Sequence, residues 1–375
     1  MLDILSDFTL QNVMIGATLL GIISGVLGTF AVLRKQSLLG DTLSHAALPG
    51  ICIGFLVAGT RSLPFILTGA LLAGAAAALV VVFLTRTTRL KTDASLGIAL
   101  SVFFALGIVL LTMIQNQGNA AQGGLDSFLF GQAAAILRSD LYVMGAITLT
   151  AVALVTGLWK EFKLISFDPS YARTLGLPVL ALEVLLTTMI ALAVVVGLQM
   201  VGVILMAAMI IAPAVAARQW TNKLGVMAAL SALFGVVSGL VGSVISASAT
   251  GLSTGPLIVL AASVIVVTSL VFAPETGLLP TALRVRRDKF SLKSRLVLGT
   301  IYRLAAEHGD PAYPAEQAMI DAFHRTDTSA VLSRLEQRGL VRSTAHHPEP
   351  TPHWVLTPKG LEQAQTPLDQ SGETQ

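Results

Sequence analysis

Residues 224–274 run for 51 positions without a single Asp, Glu, Lys or Arg. Few folds accommodate such a stretch. A helix of ~20 apolar residues already crosses a membrane, so 51 leave room for two spans and a turn. Hydrocarbon offers backbone N–H and C=O groups no water, so a helical span has to close its own hydrogen bonds. The rest of the chain agrees, being 54% hydrophobic and 12% charged where a soluble domain carries about 25% charged residues.

The apolar runs place spans at 12–33, 37–59, 64–84, 94–114, 139–158, two within 179–220, and then 225–246 and 256–273. This predicts an all-α polytopic membrane protein of nine transmembrane helices, with the break in 179–220 at Gly197-Leu198-Gln199. Gly21, Gly25 and Gly28 are spaced to let another helix approach the first span closely, and Pro213 is expected to kink its helix. The loop 115–138 is polar and then semi-apolar. The start, MLDILSDFTLQ, has two acids and no basic region, so it does not read as a secretory signal, and the first span is expected to stay. Cys52, the single cysteine, is expected to serve packing.

The cations sort to one side of this threading. Arg34/Lys35, Arg86/Arg89/Lys91, Lys160/Lys163/Arg173, Arg218/Lys223 and Arg284/Arg286/Arg287/Lys289 all fall at one face, which the positive-inside rule makes cytoplasmic. The N-terminus is then outside and the C-terminus inside, with Arg61 and Arg138 as outer exceptions. Glu183 is the lone acid of 179–220, read as an interfacial charge or as a second polar group on a path.

Within LRKQSLLGDTLSHAALPG (33–50), Asp41 and His45 stand four residues apart and share a helix face. Ionisable groups inside a span are costly and mark a pathway or a site. One carboxylate and one imidazole suit a divalent transition metal; a structural pair locking two helices is the alternative. His45 lies ten residues past Lys35, roughly 15 Å along a helix, between the midplane and the inner face.

The longest polar insertion, WKEFKLISFDPSYARTLGLP (159–178), suggests a short amphipathic helix outside the bilayer. Asp168 is suited to cap it, Pro169 to open it, and Gly176 to end it.

The composition changes near residue 276. The chain is read as a transmembrane domain over 1–275, a basic juxtamembrane linker over 276–290, a cytoplasmic domain over 291–365 and a disordered tail over 366–375. Residues 284–295 hold six cations and one acid, suited to anionic membrane lipid. Helices are expected at 291–308, 314–325, 328–338 and 359–364, and short strands at 340–342 and 354–357. Five of the six histidines lie here, and His346, His347 and His353 form a candidate regulatory metal cluster. The run LSRLEQRGLVRS…HWVLTPKGLEQA resembles the end of the winged-helix modules of metal-dependent repressors, which implies a small winged-helix-like domain serving protein contact or regulation rather than nucleic acid.

RKQSLLGDTLSHAALPG, TDASLGIALS, SFDPSYARTLGLP and VVVGLQMVGVILMAAMIIAPAVAAR together resemble the membrane permeases of the zinc/manganese/iron ABC importers over most of residues 10–275. The resemblance implies a permease subunit in the cytoplasmic membrane, paired with a second copy of itself, two copies of a cytoplasmic ATP-binding subunit and an extracytoplasmic metal-binding protein. It gives the metal-passing role to Asp41 and His45, and ATPase coupling to Phe167, Asp168, Pro169, Tyr171, Ala172, Arg173 and Gly176. No GxxxxGK[ST] occurs, so the phosphate cradle belongs to another chain and this subunit is not expected to be an enzyme. The metal is substrate rather than resident cofactor; Mn²⁺ is favoured, with Zn²⁺ and Fe²⁺ open. A membrane-anchored metal sensor with the tail as output is the competing reading. A secondary transporter would show inverted repeats and broken helices, and no repeat is visible.

Overall fold

A computed structural model describes residues 8–36, 38–59, 63–116, 131, 133, 136–248, 252–274, 276–344 and 351–365. The expected loop 115–138 and the tail 366–375 lie largely or wholly outside these residues, as do His346, His347 and Arg61. The chain divides into two compact units, Met1–Leu278 and Leu279–Gln375.

The first unit is helical throughout: α1 (Phe8–Leu33), α2 (Leu39–Ala58), α3 (Leu63–Thr87), α4 (Thr92–Gln115), α5 (Arg138–Gly157), α6 (Trp159–Phe167), α7 (Pro169–Thr174), α8 (Val179–Val201), α9 (Val203–Trp220), α10 (Leu224–Ser248) and α11 (Thr254–Phe272). Among the described residues, eight of these are long and apolar enough to cross a membrane, and α9 is shorter. Of the nine spans expected from hydropathy, the second within 179–220 is the one that falls short, and the reason is local. The helix does not break at Gly197-Leu198-Gln199 but runs on to Val201 and breaks at Gly202. Gly202 takes φ 86, a left-handed conformation open to glycine. Gly197 stays helical and lets Met206 and Leu20 approach its backbone. The shift leaves α9 with 18 residues, about 27 Å against a core of about 30 Å.

Small residues decide the packing of α1, one of the most buried spans. A Cβ at Gly25 would lie 2.6 Å from Ala232 Cα on α10, Gly21 abuts Gly235, and Gly28 abuts the Ile210 carbonyl of α9. Ser231 Oγ donates to the Gly25 carbonyl at 2.8 Å, a buried bond between two spans. The glycines of the first span thus bring in two helices. Gly50 and Gly69 do the same for α2 against α3. Cys52 is fully buried, with Sγ 3.8 Å from the Gly107 carbonyl of α4.

Contacts between distant residues sort the helix ends. The Arg138 guanidinium sits 4.4 Å from the Phe8 ring centroid, so α1 and α5 begin at the same end. At the opposite end, Arg34 and Arg86, which follow α1 and close α3, meet Glu183 near the start of α8. The α6–α7 segment is at that end too, with Trp159 and Phe162 edge-on to Phe30.

The second unit contains α12 (Leu278–Glu307), β1 (Ala315–Glu316), α13 (Gln317–His324), α14 (Ser329–Gln337), β2 (Val341–Thr344), β3 (His353–Leu356) and α15 (Pro358–Gln365). The strands form an antiparallel sheet in the order β1-β3-β2, with Val341 opposite Leu356 and Ala315 opposite Trp354. Val297, Ile301, Ile320, Leu332, Leu335 and Trp354 belong to its own core. The helix expected from residue 291 begins at Leu278, and β1 had no counterpart in the sequence reading.

Candidate metal-transit site

Asp41 lies in the first turn of α2 and His45 one turn further on. Leu39 and Leu43, on the same helix, are buried against the bundle. His45 Nε2 lies 3.2 Å from Asp41 Oδ1. Two ligands bound at ~2.1 Å to one ion, at angles of roughly 90–109°, stand ~3.0–3.4 Å apart, so the separation fits a shared cation as well as it fits a direct His–Asp contact. The His45 ring meets Phe104 of α4 edge-on at 4.7 Å, which fixes its plane. His45 Nδ1 is buried with no hydrogen-bond partner among the described residues. Asp41 remains 37% exposed. A half-open carboxylate beside an imidazole with an unused nitrogen differs from a saturated structural pair, and both groups belong to one helix rather than locking two. No cluster of three or more His, Cys, Asp or Glu occurs among the described residues. The site thus offers two protein ligands and leaves the remaining positions to water or another chain.

The insertion at 159–178 folds as α6 and α7. Asp168 Oδ1 accepts from the backbone N–H groups of Ser170 (3.1 Å) and Tyr171 (2.9 Å), the cap its sequence position suggested. Pro169 is the first residue of α7, and Gly176 has φ 78 just past its end. Ala172 is fully buried, whereas Phe167, Tyr171, Leu175 and Arg173 point outward. That α6 precedes this turn as a helix went unread in the sequence. Its Phe162 and Ile165 are buried on either side of charged Lys163.

His353 lies in β3 rather than in an exposed loop; it is buried, and its Nδ1 is 2.8 Å from the Thr351 carbonyl. The sequence reading also missed what Glu183 does. Its two oxygens meet Arg34 Nη2 at 3.3 Å and Arg86 Nη2 at 3.1 Å, joining α1, α3 and α8. The available signal was one acid opening a span at the face where two other spans end in arginine.

The chain matches the ABC 3 transport family over residues 6–273. It belongs to that family. The match falls within the first unit and leaves the second outside it. Among curated relatives, the chain is 49% identical over 287 residues to the zinc transport system membrane protein TroC of Treponema pallidum, covering 76% of this chain and 96% of that protein. It is 48% identical over 292 residues to the manganese transport system membrane protein MntC of Bacillus subtilis, covering 78% of this chain and 67% of that protein. Its structure is similar to PsaBC from Streptococcus pneumoniae in complex with Fab, with a TM-score of 0.65 and 31% identity over 75% of this chain and 96% of that one. As an ABC 3 family member the chain is a multi-pass transport component, and both Asp41 and His45 lie within the matched region.

Proposed function

We propose that this chain is the permease subunit of an ATP-driven importer that carries a divalent transition metal, manganese foremost, across the cytoplasmic membrane. The relatives named for manganese and zinc transport support the cargo class. The single observation that carries the site is the Asp41–His45 pair, set 3.2 Å apart within the apolar helix α2 with an imidazole nitrogen that has no partner among the described residues. The pair supplies a carboxylate oxygen and an imidazole nitrogen in place of part of the ion's hydration shell. Two ligands hold a cation long enough to select it and weakly enough to release it.

The carboxylate cannot face lipid at little cost, and Asp41 is 37% exposed in the single chain. A second copy covering this face closes the path. Partner subunits hydrolyse ATP, and α7 with the exposed Phe167, Tyr171 and Leu175 passes their closure to the bundle. An extracytoplasmic metal-binding protein delivers the ion at the opposite end. The clustering of Arg34, Arg86 and α6–α7 at one end supports a cytoplasmic face there. The short α9 completes nine passes, with the N-terminus outside and the C-terminus inside. The order of helices and the antiparallel β2–β3 pair support reading Leu279–Gln375 as a winged-helix-like regulatory module.

Uptake of radiolabelled Mn²⁺ and Zn²⁺ by the assembled system tests the reading. Asp41→Asn and His45→Ala, at wild-type membrane abundance and with normal partner assembly, are expected to lose uptake of the physiological metal. Wild-type uptake by both variants would move the path elsewhere.

A further inference from the structure

The end of the bundle that carries α6 and α7 holds an open cleft of about 300 Å³, at the lower edge of the ~300–1,000 Å³ typical of small-ligand sites. Its wall includes Arg34, Gln36, Arg86, Thr92, Pro169 and Glu183. Two guanidinium groups share one carboxylate there, so the local charge is positive. Arg34 is only 11% exposed and commits Nη2 to Glu183. Its Nη1 is buried with no partner among the described residues, and the same holds for Gln36 Oε1. A buried donor without an acceptor is costly to keep. A terminal amide presents either its oxygen or its NH₂ by a half-turn, so Gln36 can also donate. Thr92, the first residue of α4, also lines the cavity, and Lys91 before it provides no side-chain cap.

We propose that this cavity is an oxyanion site that takes a phosphate group, and that its source is the head group of an anionic phospholipid. The planar fork of arginine matches phosphate oxygens; Arg86, 43% exposed, is the accessible guanidinium, while the shielded Arg34 adds its charge from behind the wall. The lipid source follows from position. The cavity lies where apolar spans end, which is head-group depth. On α3, exposed Leu79 and Phe83 stand seven and three residues before Arg86 and share its stripe, so an acyl chain lying along them leads to Arg86 at the edge of the cavity, whose wall on this helix is otherwise Ala78, Val81, Val82 and Thr85. Basic pockets between helix ends are suited to anionic lipid head groups. Ile165, Ser166 and Pro169 form part of the same wall, so the occupant braces α6 and α7. That last consequence rests on the coupling role proposed above; the binding does not.

Native mass spectrometry of the full purified chain, incubated with phosphatidylglycerol or phosphatidylcholine, tests the site without reference to transport. Phosphatidylglycerol is expected to be retained in preference, and inorganic phosphate to displace it. Arg86→Gln keeps the Arg34–Glu183 pair and the fold, and is expected to weaken retention about tenfold, the effect of one lost charge-assisted contact. The Arg34→Gln/Glu183→Gln double variant, which leaves no unpaired buried charge, is expected to abolish the preference. Equal retention of the two lipids in wild type and both variants would show a cavity filled by water and overturn the proposal. Binding of inorganic phosphate without phosphatidylglycerol would overturn the lipid source. Loss of the lipid on adding the ATPase subunit, with a crosslink from position 86 to an acidic residue of that subunit, would assign the guanidiniums to a protein carboxylate and also overturn it.

Discussion

Glu183→Gln separates a structural ion triad from ordinary surface charge. Glu183 bridges Arg34 and Arg86, but the two links are unequal. Arg86 is 43% exposed, and an ion pair so open to water contributes about 0–1 kcal/mol. Arg34 is 11% exposed and Glu183 20%. Removing the carboxylate leaves the Arg34 guanidinium uncompensated where water scarcely reaches it, and breaking a fully buried pair costs about 3–5 kcal/mol. The remaining exposure discounts this to about 2–3 kcal/mol. Arg86→Gln, which leaves the buried link intact, is expected to cost under about 1 kcal/mol. Arg34→Met with Glu183→Leu removes both buried charges and is expected to recover most of the loss, since apolar replacement of a buried pair is often neutral. Thermal unfolding of the detergent-solubilised chain, followed by intrinsic fluorescence, orders the variants. Glu183→Gln should unfold lowest, the double variant above it, and Arg86→Gln near wild type. Equal shifts for Glu183→Gln and Arg86→Gln, or no shift in either, would refute the claim that Arg34 depends on its partner.

Three further outcomes follow from local geometry. Gly28→Ala drives a methyl into the Ile210 carbonyl and is expected to destabilise by about 1–3 kcal/mol, whereas Gly97 on α4 faces open space and its Ala variant should gain up to ~1 kcal/mol; opposite shifts in unfolding temperature are the check. Asp168→Ala removes the acceptor for Ser170 and Tyr171 N–H and should cost the α7 turn about 1 kcal/mol, seen as faster hydrogen exchange at 170–171 with the bundle's exchange unchanged. Burial, aided by nearby Lys293 and opposed by Asp321, holds the His324 imidazole below its ordinary value of 6.5. The unfolded chain therefore binds more protons, and the stability His324 contributes is present above 6.5 and lost as pH falls toward the lower folded value. The calorimetric transition that truncation after residue 278 removes should move down on that acid side in wild type and stay put in His324→Gln.

Much of the site was legible because it rests on local rules. A charge-free run of 51 residues leaves helices as the simplest structure that can close its own hydrogen bonds. An Asp and a His four apart share a helix face whatever surrounds them, and Asp168-Pro169 followed by Gly176 encodes a cap, a first turn and a stop within nine residues. The expected 328–338 and 359–364 helices and the two expected strands of the tail appear close to their sequence positions because turns and period set them, whereas the first tail helix starts thirteen residues early and β1 interrupts the start of the second.

What the sequence left open depends on residues far apart in the chain. Gly197 and Gly202 look alike in sequence; packing against Leu20 and Met206 keeps one helical while the chain reversal takes the other. Glu183 acquires its partners only when α1 and α3 end beside α8. His45 gains its orientation from Phe104, and its unused nitrogen from a helix packing that brings no other group to it among the described residues. Hydrophobic period and i,i+4 spacing are properties of neighbours along the chain, so the sequence by itself determined most of the spans, the shared helix face of Asp41 and His45, and the capped turn. The charge triad, the cavity beside it and the point of helix reversal are properties of neighbours in space, and only the tertiary structure decided them.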